Sequence, residues 1–322
     1  MAEAKHHQAA KSPESARPPH VVCFGECMLE LQGQAFGTMT QTFGGDTLNT
    51  AVYLARCGQA QGLQVSYATA LGDDSLSAGM MQRWRDEGLR LDAVRIIPGR
   101  LPGLYLIEVD ERGERRFSYW REQAAARAYF DTTEGATPLE RQAEEGAIDA
   151  LYFSGISLAI LPPAGRARLI ALAERLCARG AWVVFDNNYR PRLWSDVAQA
   201  REAFAKMYEV ASIALVTIED EHALWGEPSA DAQLARTLAM PCAELVVKRG
   251  GAPTLLRLAG QAVQAVPTVP VLKVVDTTAA GDSFAGAYLA ARMLGADAAS
   301  AVAAGNRLAA QVIQHRGALM PR

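Results

Sequence analysis

Short apolar runs alternate along the chain with longer segments in which apolar residues recur at helical spacing. The runs are typical of strands buried on both faces, and we predict them at 21–24, 65–69, 151–153, 182–185, 213–216 and 245–247. Helices are predicted between and after them, at 47–57, 75–87, 163–179, 196–208, 281–294 and 297–315. Strands that alternate with helices predict an α/β domain, in which a mainly parallel sheet is covered by helices on both faces.

Two stretches, 30–43 and 94–121, break this rhythm because they lack helical periodicity. The second predicts a hairpin, with strands at 104–109 and 115–121 around a turn at Asp110-Glu111-Arg112-Gly113. We expect the two stretches to form one small sheet that projects as a β lid and closes over a site to exclude water. The alternative is a β excursion used for contacts between subunits. Both could hold, so we expect a homo-oligomer through the lid.

Composition limits the protein class. The 322 residues, half of them apolar, suit one large α/β domain with a small appendage, and polar residues 1–19 predict a disordered tail rather than a secretory signal. A net charge of −3 indicates neither nucleic acid nor anionic membrane as a partner, and no apolar run is long enough for a membrane span. Five scattered cysteines, without zinc spacing, predict a reduced, cytoplasmic protein.

The most informative motif is Asp276-Thr277-Thr278-Ala279-Ala280-Gly281-Asp282, which follows a β-branched segment at 269–275. Small residues before an apolar helix leave backbone N–H groups that, with the helix dipole, can hold a phosphate. Asp282 would then lie where a carboxylate could take a proton from an attacking hydroxyl. The alternative is an ordinary helix start with an acid in its first turn.

A second motif is Gly44-Gly45-Asp46-Thr47-Leu48-Asn49. Paired glycines allow close backbone approach, and Asp46 and Asn49 supply acceptors and donors suited to sugar hydroxyls. This motif alone is weak evidence, because Asp46 could simply cap the helix. Neither a Walker A pattern nor GxGxxG occurs, which argues against P-loop and classical dinucleotide-binding proteins.

Together the two motifs resemble the signatures of the ribokinase-like family of sugar kinases, of the phosphofructokinase-B type. The chain is most similar to the branch that acts on 2-keto-3-deoxygluconate, over about 21–322. The likeness rests on 25–31, 100–105, 154–161, 186–194, 246–250 and 315–318. It implies a three-layer α/β sandwich, and ATP- and Mg²⁺-dependent transfer of the γ-phosphoryl group to the C6 hydroxyl of that sugar acid.

The resemblance also implies a role for individual residues. Asp282 is the catalytic base, and the amides of Ala279, Ala280 and Gly281 form the anion hole; most family members have Gly at the position of Ala279. Substrate contacts carried over by position are Gly45, Asp46, Thr47, Leu48, Asn49, Tyr105, Tyr119, Arg121 and Arg190, and Glu30 matches either a sugar contact or a hinge. A guanidinium can hold the carboxylate of a sugar acid bidentately, which supports the two arginines.

For the nucleotide, the resemblance points to Asn188, Lys248, Arg249, Gly250, Gly251 and Asn306. The family's Asn-x-x-Glu magnesium motif is replaced here by Thr217-Ile218-Glu219-Asp220, so we assign the magnesium contact to Asp220, a hard oxygen ligand.

Two other readings stay open. One is a ribokinase-like kinase of another substrate: 2-keto-3-deoxygalactonate, fructose or a nucleoside. The other is a non-enzymatic sugar sensor on the same scaffold.

Overall fold

A computed structural model describes residues 17–109, 115–132 and 135–322. The predicted turn at 110–113 and residues 1–16 of the expected tail lie outside them. Residues 17–19, which we assigned to the tail, contact the fold. Arg17 Nη1 lies 2.8 Å from Asp149 Oδ2, and the carbonyl of Pro19 accepts a hydrogen bond from the Gln64 amide. The described fold therefore begins at Arg17.

The described residues form strands and helices in the predicted alternation. The strands are β1 (His20–Phe24), β2 (Met28–Gly33), β3 (Met39–Gly44), β4 (Gln64–Leu71), β5 (Val94–Ile96), β6 (Leu104–Val109), β7 (Arg115–Trp120), β8 (Ala150–Ser154), β9 (Trp182–Asp186), β10 (Ile213–Thr217), β11 (Glu244–Lys248), β12 (Thr254–Leu258) and β13 (Gln264–Val266). The helices are α1 (Asp46–Gly58), α2 (Ser75–Asp86), α3 (Pro138–Glu144), α4 (Gly155–Ile160), α5 (Pro163–Ala178), α6 (Val197–Val210), α7 (Ile218–Trp225), α8 (Ala230–Leu238), α9 (Ala280–Met293) and α10 (Ala298–Val312).

The larger sheet has the order β13-β12-β11-β10-β9-β8-β1-β4-β5, and it is parallel except at β12 and β13. Alternate side chains of each strand enter opposite hydrophobic clusters: Val22 and Phe24 pack on the side of α3 to α8, while Val21 and Cys23 pack on the side of α1, α2, α9 and α10. This is the predicted α/β sandwich with helices on both faces.

A separate sheet, with the order β3-β2-β6-β7, forms the lid. Its central pair, β2 and β6, is parallel, and it joins the two stretches that the sequence set apart. One boundary was wrong: β5, within the stretch assigned to the lid, pairs in parallel with β4 and extends the larger sheet.

The β-branched segment at 269–275 is not a strand, although its composition suggests one. Val269, Leu272, Val274 and Val275 are exposed. The amides of Val275 and Asp276 both donate to the carbonyl of Ile313, just after α10, at 2.8 and 3.2 Å. The segment's end is therefore bonded to a helix terminus instead of a sheet edge.

Helices α1 and α9 touch at backbone distance. A β-carbon on Gly286 would lie 2.7 Å from Cβ of Tyr53, 2.8 Å from the amide nitrogen of Leu54 and 2.9 Å from the carbonyl oxygen of Thr50. Only a residue without a side chain allows this approach. The contact fixes how the first turn of α9 lies against the first turn of α1.

We expect Gly286→Ala to destabilise the protein by about 1–3 kcal/mol, because the added methyl overpacks two helix backbones. Gly79→Ala in α2 is the matched control: its β-carbon would meet only the Arg83 side chain, at 3.4 Å. The control should gain about 0.5–1 kcal/mol from helix propensity. Thermal denaturation of both variants checks this; equal melting temperatures would contradict the close approach.

Candidate active site

The carboxyl ends of the parallel strands and the first turns of α1 and α9 meet at one edge of the large sheet. Ser154, Asp186 and Lys248 are the last residues of β8, β9 and β11. Asp46 begins α1, and Asp282 lies in the first turn of α9. This edge is where open α/β sheets bind their ligands, because loops and helix N-termini surround it.

Asp282 is held by the neighbouring helix. Asn49 Nδ2 donates to Asp282 Oδ2 at 2.9 Å, across the contact between α1 and α9. The pKa of Asp282 is raised to about 8, first by burial and then by the negative charges of Asp46 and Asp186, while the Asn49 hydrogen bond and Lys248 oppose the shift. A carboxylate with this pKa is suited to accept a proton near neutral pH.

The backbone before Asp282 forms a concave turn. Ala279 precedes α9 in the left-handed region, with φ 59°. The Ala280 amide closes the turn onto the Thr277 carbonyl at 3.2 Å, and the first helical bond runs from the Ser283 amide to the Ala279 carbonyl. A turn of this kind at a helix N-terminus is a general anion-binding form. Of the three expected amides, that of Ala280 is already partly engaged.

Lys248 supplies a cation beside this turn. A β-carbon on Gly281 would lie 3.5 Å from Lys248 Nζ. The same Nζ donates to Asp186 Oδ2 at 2.9 Å, and both side chains are largely buried. The Tyr152 hydroxyl reaches Asp186 Oδ2 at 3.5 Å. The ammonium is therefore fixed between a carboxylate and the concave turn.

Asp46 is surrounded by donors. Ser154 Oγ and Asn188 Nδ2 donate to Asp46 Oδ2 at 2.5 and 2.7 Å. Burial still raises the pKa of Asp46, with a smaller contribution from the charge of Asp186. Asn188 reaches Asp46 from a positive φ of 29°. The predicted substrate and nucleotide residues Asp46 and Asn188 are thus brought together.

The Gly45–Asn49 segment divides into two parts. Thr47 and Leu48 have no exposed surface: the Thr47 hydroxyl bonds to that of Tyr67, and Leu48 lies in the core. Gly45 and Asp46 are partly exposed, whereas Asn49 is buried with its side-chain amide on Asp282. Thr47 and Leu48 therefore support the helix start from the core side.

The lid brings its predicted aromatic residues together. The rings of Tyr105 and Tyr119 stack with centroids 5.9 Å apart, and the Tyr105 hydroxyl donates to the Glu30 carboxylate. A β-carbon on Gly44, the last residue of β3, would lie 2.5 Å from the Tyr105 hydroxyl oxygen, so Tyr105 packs within the small sheet directly against the first glycine of the pair. Glu30 is therefore a lid residue in contact with a predicted substrate residue.

Both predicted arginines have carboxylate partners within the chain. Arg121 is buried, and its Nη2 donates to Glu26. Arg190 is exposed, and its Nη1 lies 3.2 Å from Asp220 Oδ1. The sequence did not indicate these pairings, because the partners come from distant segments.

The predicted nucleotide loop follows β11. Arg249 folds back onto the Pro253 carbonyl, with its Nη2 2.7 Å away, while Gly250 and Gly251 are exposed. Asn306 is buried, and its amide bonds to the Thr254 hydroxyl at 2.9 Å and the Pro267 carbonyl at 3.0 Å. These contacts place Asn306 beneath the loop, with both ends of its amide engaged.

Asp220 is the predicted magnesium contact. Burial raises its pKa most, the Arg190 charge lowers it, and the negative charge of Asp186 raises it further. Carboxylate oxygens such as those of Asp220 are hard donors of the kind that Mg²⁺ prefers. The described residues contain no group of three His, Cys, Asp or Glu able to hold a metal ion, so such an ion would keep water and phosphate ligands.

Sequence reasoning missed Glu26, Asp186, Ser154 and Tyr152 as site residues. Asp186 and Ser154 end parallel strands, and Glu26 closely follows one. The rule that ligands bind at carboxyl strand ends could have found these three. Tyr152 carries no such signal, because it lies inside a strand.

The chain is similar to known carbohydrate kinases in sequence and in fold. The pfkB family carbohydrate kinase model matches residues 18–321. A Dickeya dadantii protein named 2-dehydro-3-deoxygluconokinase is 45% identical over 304 residues, which cover 94% of this chain and 97% of the relative. That name denotes the kinase branch indicated by the sequence, so the resemblance is confirmed.

Solved structures show the same fold. A PfkB protein from Polaromonas sp. JS666 superposes with a TM-score of 0.78 at 24% identity, covering 92% of this chain and 96% of that one. An E. coli structure in complex with ATP and Mg²⁺ superposes with a TM-score of 0.76 at 21% identity, covering 94% of both chains. In the part of the chain that the structure describes, no helix is long and apolar enough to cross a bilayer. The chain belongs to the pfkB family of carbohydrate kinases.

Proposed function

We propose that the protein transfers the γ-phosphoryl group of ATP to the C6 hydroxyl of 2-keto-3-deoxygluconate, the compound also called 2-dehydro-3-deoxygluconate. The observation that carries the proposal is Asp282, a carboxylate of raised pKa beside a concave turn and an ammonium. The name of the Dickeya relative supports the substrate, since the identity extends over nearly the whole chain. A coupled kinase assay with a panel of sugar acids and neutral sugars tests it.

In this mechanism Asp282 accepts the C6 hydroxyl proton while the oxygen attacks the γ-phosphorus and ADP leaves. The turn at Ala279 to Gly281 receives the charge that spreads over the transferred group. Lys248, held by Asp186 next to Gly281, adds a positive charge at the same place. Asn49 keeps the Asp282 carboxylate pointed toward α1, where Asp46 would bind sugar hydroxyls.

The nucleotide would lie over Asn188 and the loop at 248–251, with Asn306 supporting the loop from below. Bound Mg²⁺ would neutralise charge on the phosphates, and Asp220 would hold it through water. The Arg190 side chain is half exposed and lies 3.2 Å from the partly buried Asp220, so solvent screens the guanidinium and it can leave this partner at low free-energy cost. Arg190 is therefore available to a sugar carboxylate when Asp220 turns to the metal.

Arg121 is the second guanidinium proposed for the sugar acid. Among the described residues its side chain pairs with Glu26, and a guanidinium has further N–H donors. Tyr105 and Tyr119, from the same lid, would pack against the sugar. A neutral substrate such as fructose has no carboxylate for this guanidinium to bind.

We also propose that copies of the chain associate through the lid, because Phe117 and Trp120 are exposed on it. The free state of the five cysteines supports a reducing, cytoplasmic location.

Asp282→Asn should lower kcat by about 10²–10⁴, because the amide cannot accept the proton. The substitution is nearly isosteric, so the melting temperature and the binding of ATP should change little. Steady-state kinetics and ATP titration measure the two effects. Turnover within about threefold of the unmodified enzyme would exclude Asp282 as the base.

The activity should depend on pH through the same carboxyl group. Because only the deprotonated form accepts a proton, kcat/KM should rise with pH and level off above about 8, the raised pKa of Asp282. Lys248→Met removes a charge that lowers this pKa, so the midpoint should move to higher pH. Asp186→Asn removes a charge that raises it, so the midpoint should move to lower pH. Two shifts in the same direction would contradict the assignment.

Arg121→Met should lower kcat/KM for the sugar acid by about ten- to a few hundredfold, because a charged hydrogen bond contributes about 1.5–3 kcal/mol. The KM for ATP should hardly move. Burial already raises the pKa of Glu26, so loss of its partner favours protonation of that carboxyl. Arg121→Lys should recover part of the loss, since an ammonium lacks the planar fork. If Arg121→Met weakened the binding of ATP and left the binding of the sugar acid unchanged, Arg121 would be a phosphate ligand instead.

A further inference from the structure

Every described chain crossing between the large sheet and the lid passes Glu26. Glu26 itself lies between β1 and β2. At the exit from β3, a β-carbon on Gly45 would lie 2.2 Å from the Glu26 carbonyl oxygen. At the start of β6, a β-carbon on Gly103 would lie 2.8 Å from Glu26 Oε1. At the exit from β7, Arg121 pairs with the Glu26 carboxylate. The lid is thus attached to the large sheet around Glu26, and we call this place the lid pivot.

The pair of Glu26 and Arg121 is buried but incompletely bonded. The side chains are 1% and 10% exposed. Arg121 Nη2 contacts Glu26 Oε2, whereas Glu26 Oε1 and Arg121 Nε have no hydrogen-bond partner among the residues described. A single-point contact leaves part of the guanidinium fork uncommitted, so the arginine can accept a second carboxylate without releasing the first.

We propose that Glu26 is a positioning residue for the sugar acid: it holds the Arg121 guanidinium at the pivot of the lid and so directs the remaining N–H groups toward the substrate carboxylate. This inference rests on the proposed function of Arg121. Burial raises the pKa of Glu26, and the positive charges of Arg121 and Arg127 act against this rise.

Stability alone does not account for the pair. A buried ion pair is a weak stabiliser, because removing two charges from water offsets their attraction, and apolar residues of similar volume would pack here as well or better. A carboxylate with a free oxygen and a guanidinium with a free N–H are costly in a protein core. The presence of this incompletely bonded pair where the lid is attached fits a role in binding, in which the substrate carboxylate accepts hydrogen bonds from the remaining N–H groups of the guanidinium.

The test uses Glu26→Asp, which keeps the charge and withdraws the carboxylate by one methylene. We expect the KM for the sugar acid to rise about five- to tenfold, because the guanidinium is displaced. The kcat and the KM for ATP should stay within about twofold. In an Arg121→Met background, Glu26→Asp should add no further increase, since Glu26 acts through Arg121.

Glu87→Asp is the matched control. Glu87 pairs with Arg56 at 2.7 Å, with both side chains mostly buried, away from the lid. The Glu87→Asp variant should have a lower melting temperature, with the KM for the sugar acid and the KM for ATP both unchanged. If Glu26→Asp behaved like this control while Arg121→Met raised the KM for the sugar acid, the inference would fail and the proposed function would stand. If Arg121→Met also left that KM unchanged, both would fail. An equal rise of the KM for ATP would show a general structural effect and overturn the inference.

Discussion

The mutual repulsion of three carboxylates at one sheet edge is the constraint on which the rest of the site depends. Burial raises the pKa of Asp282 most, and the negative charges of Asp46 and Asp186 raise it further; burial likewise raises the pKa of Asp46, with a smaller contribution from the charge of Asp186. Lys248 offsets part of this charge through its pair with Asp186. The carboxylates stay close because neutral donors hold them, one of which is Asn49. A cluster with excess negative charge is a natural partner for a metal-bound nucleotide, whose cation completes the neutralisation.

These donors come from different elements, so the site exists only when the elements are docked. The bond between Asn49 and Asp282 spans α1 and α9, which touch at Gly286. The lid is attached through the pair of Glu26 and Arg121, next to the same first turn of α1. One side of the cluster is thus fixed by helix packing, and the small sheet joins the domain next to it through crossings that all lie near Glu26. This division suits a kinase, which needs a rigid base and a cover that excludes water.

The sequence predicted the sandwich and the lid well because both follow from periodicity. Short apolar runs and the helical spacing of apolar residues are local signals, and they were right for the main elements. The β-branched run at 269–275 was misleading, since its terminal amides bond to the end of α10. Contacts between side chains of distant segments were not predictable. Arg121 and Glu26 are 95 positions apart, and no local sequence pattern indicates that they touch. For the same reason, burial of Thr47 and Leu48 inside a predicted binding motif was visible only in the fold.

Ala279 shows how a departure from the family pattern can be accommodated. The residue adopts φ 59° and ψ 17°, a left-handed conformation that costs a residue with a β-carbon about 1–2 kcal/mol. Alanine has the smallest such side chain, and the turn is held by bonds on both sides, from the Ala280 amide to the Thr277 carbonyl and from the Ser283 amide to the Ala279 carbonyl. The conformation is therefore imposed by the start of α9 rather than by a glycine. Because the backbone N–H groups and not the side chain would face the phosphate, the methyl group of Ala279 leaves the proposed anion hole intact.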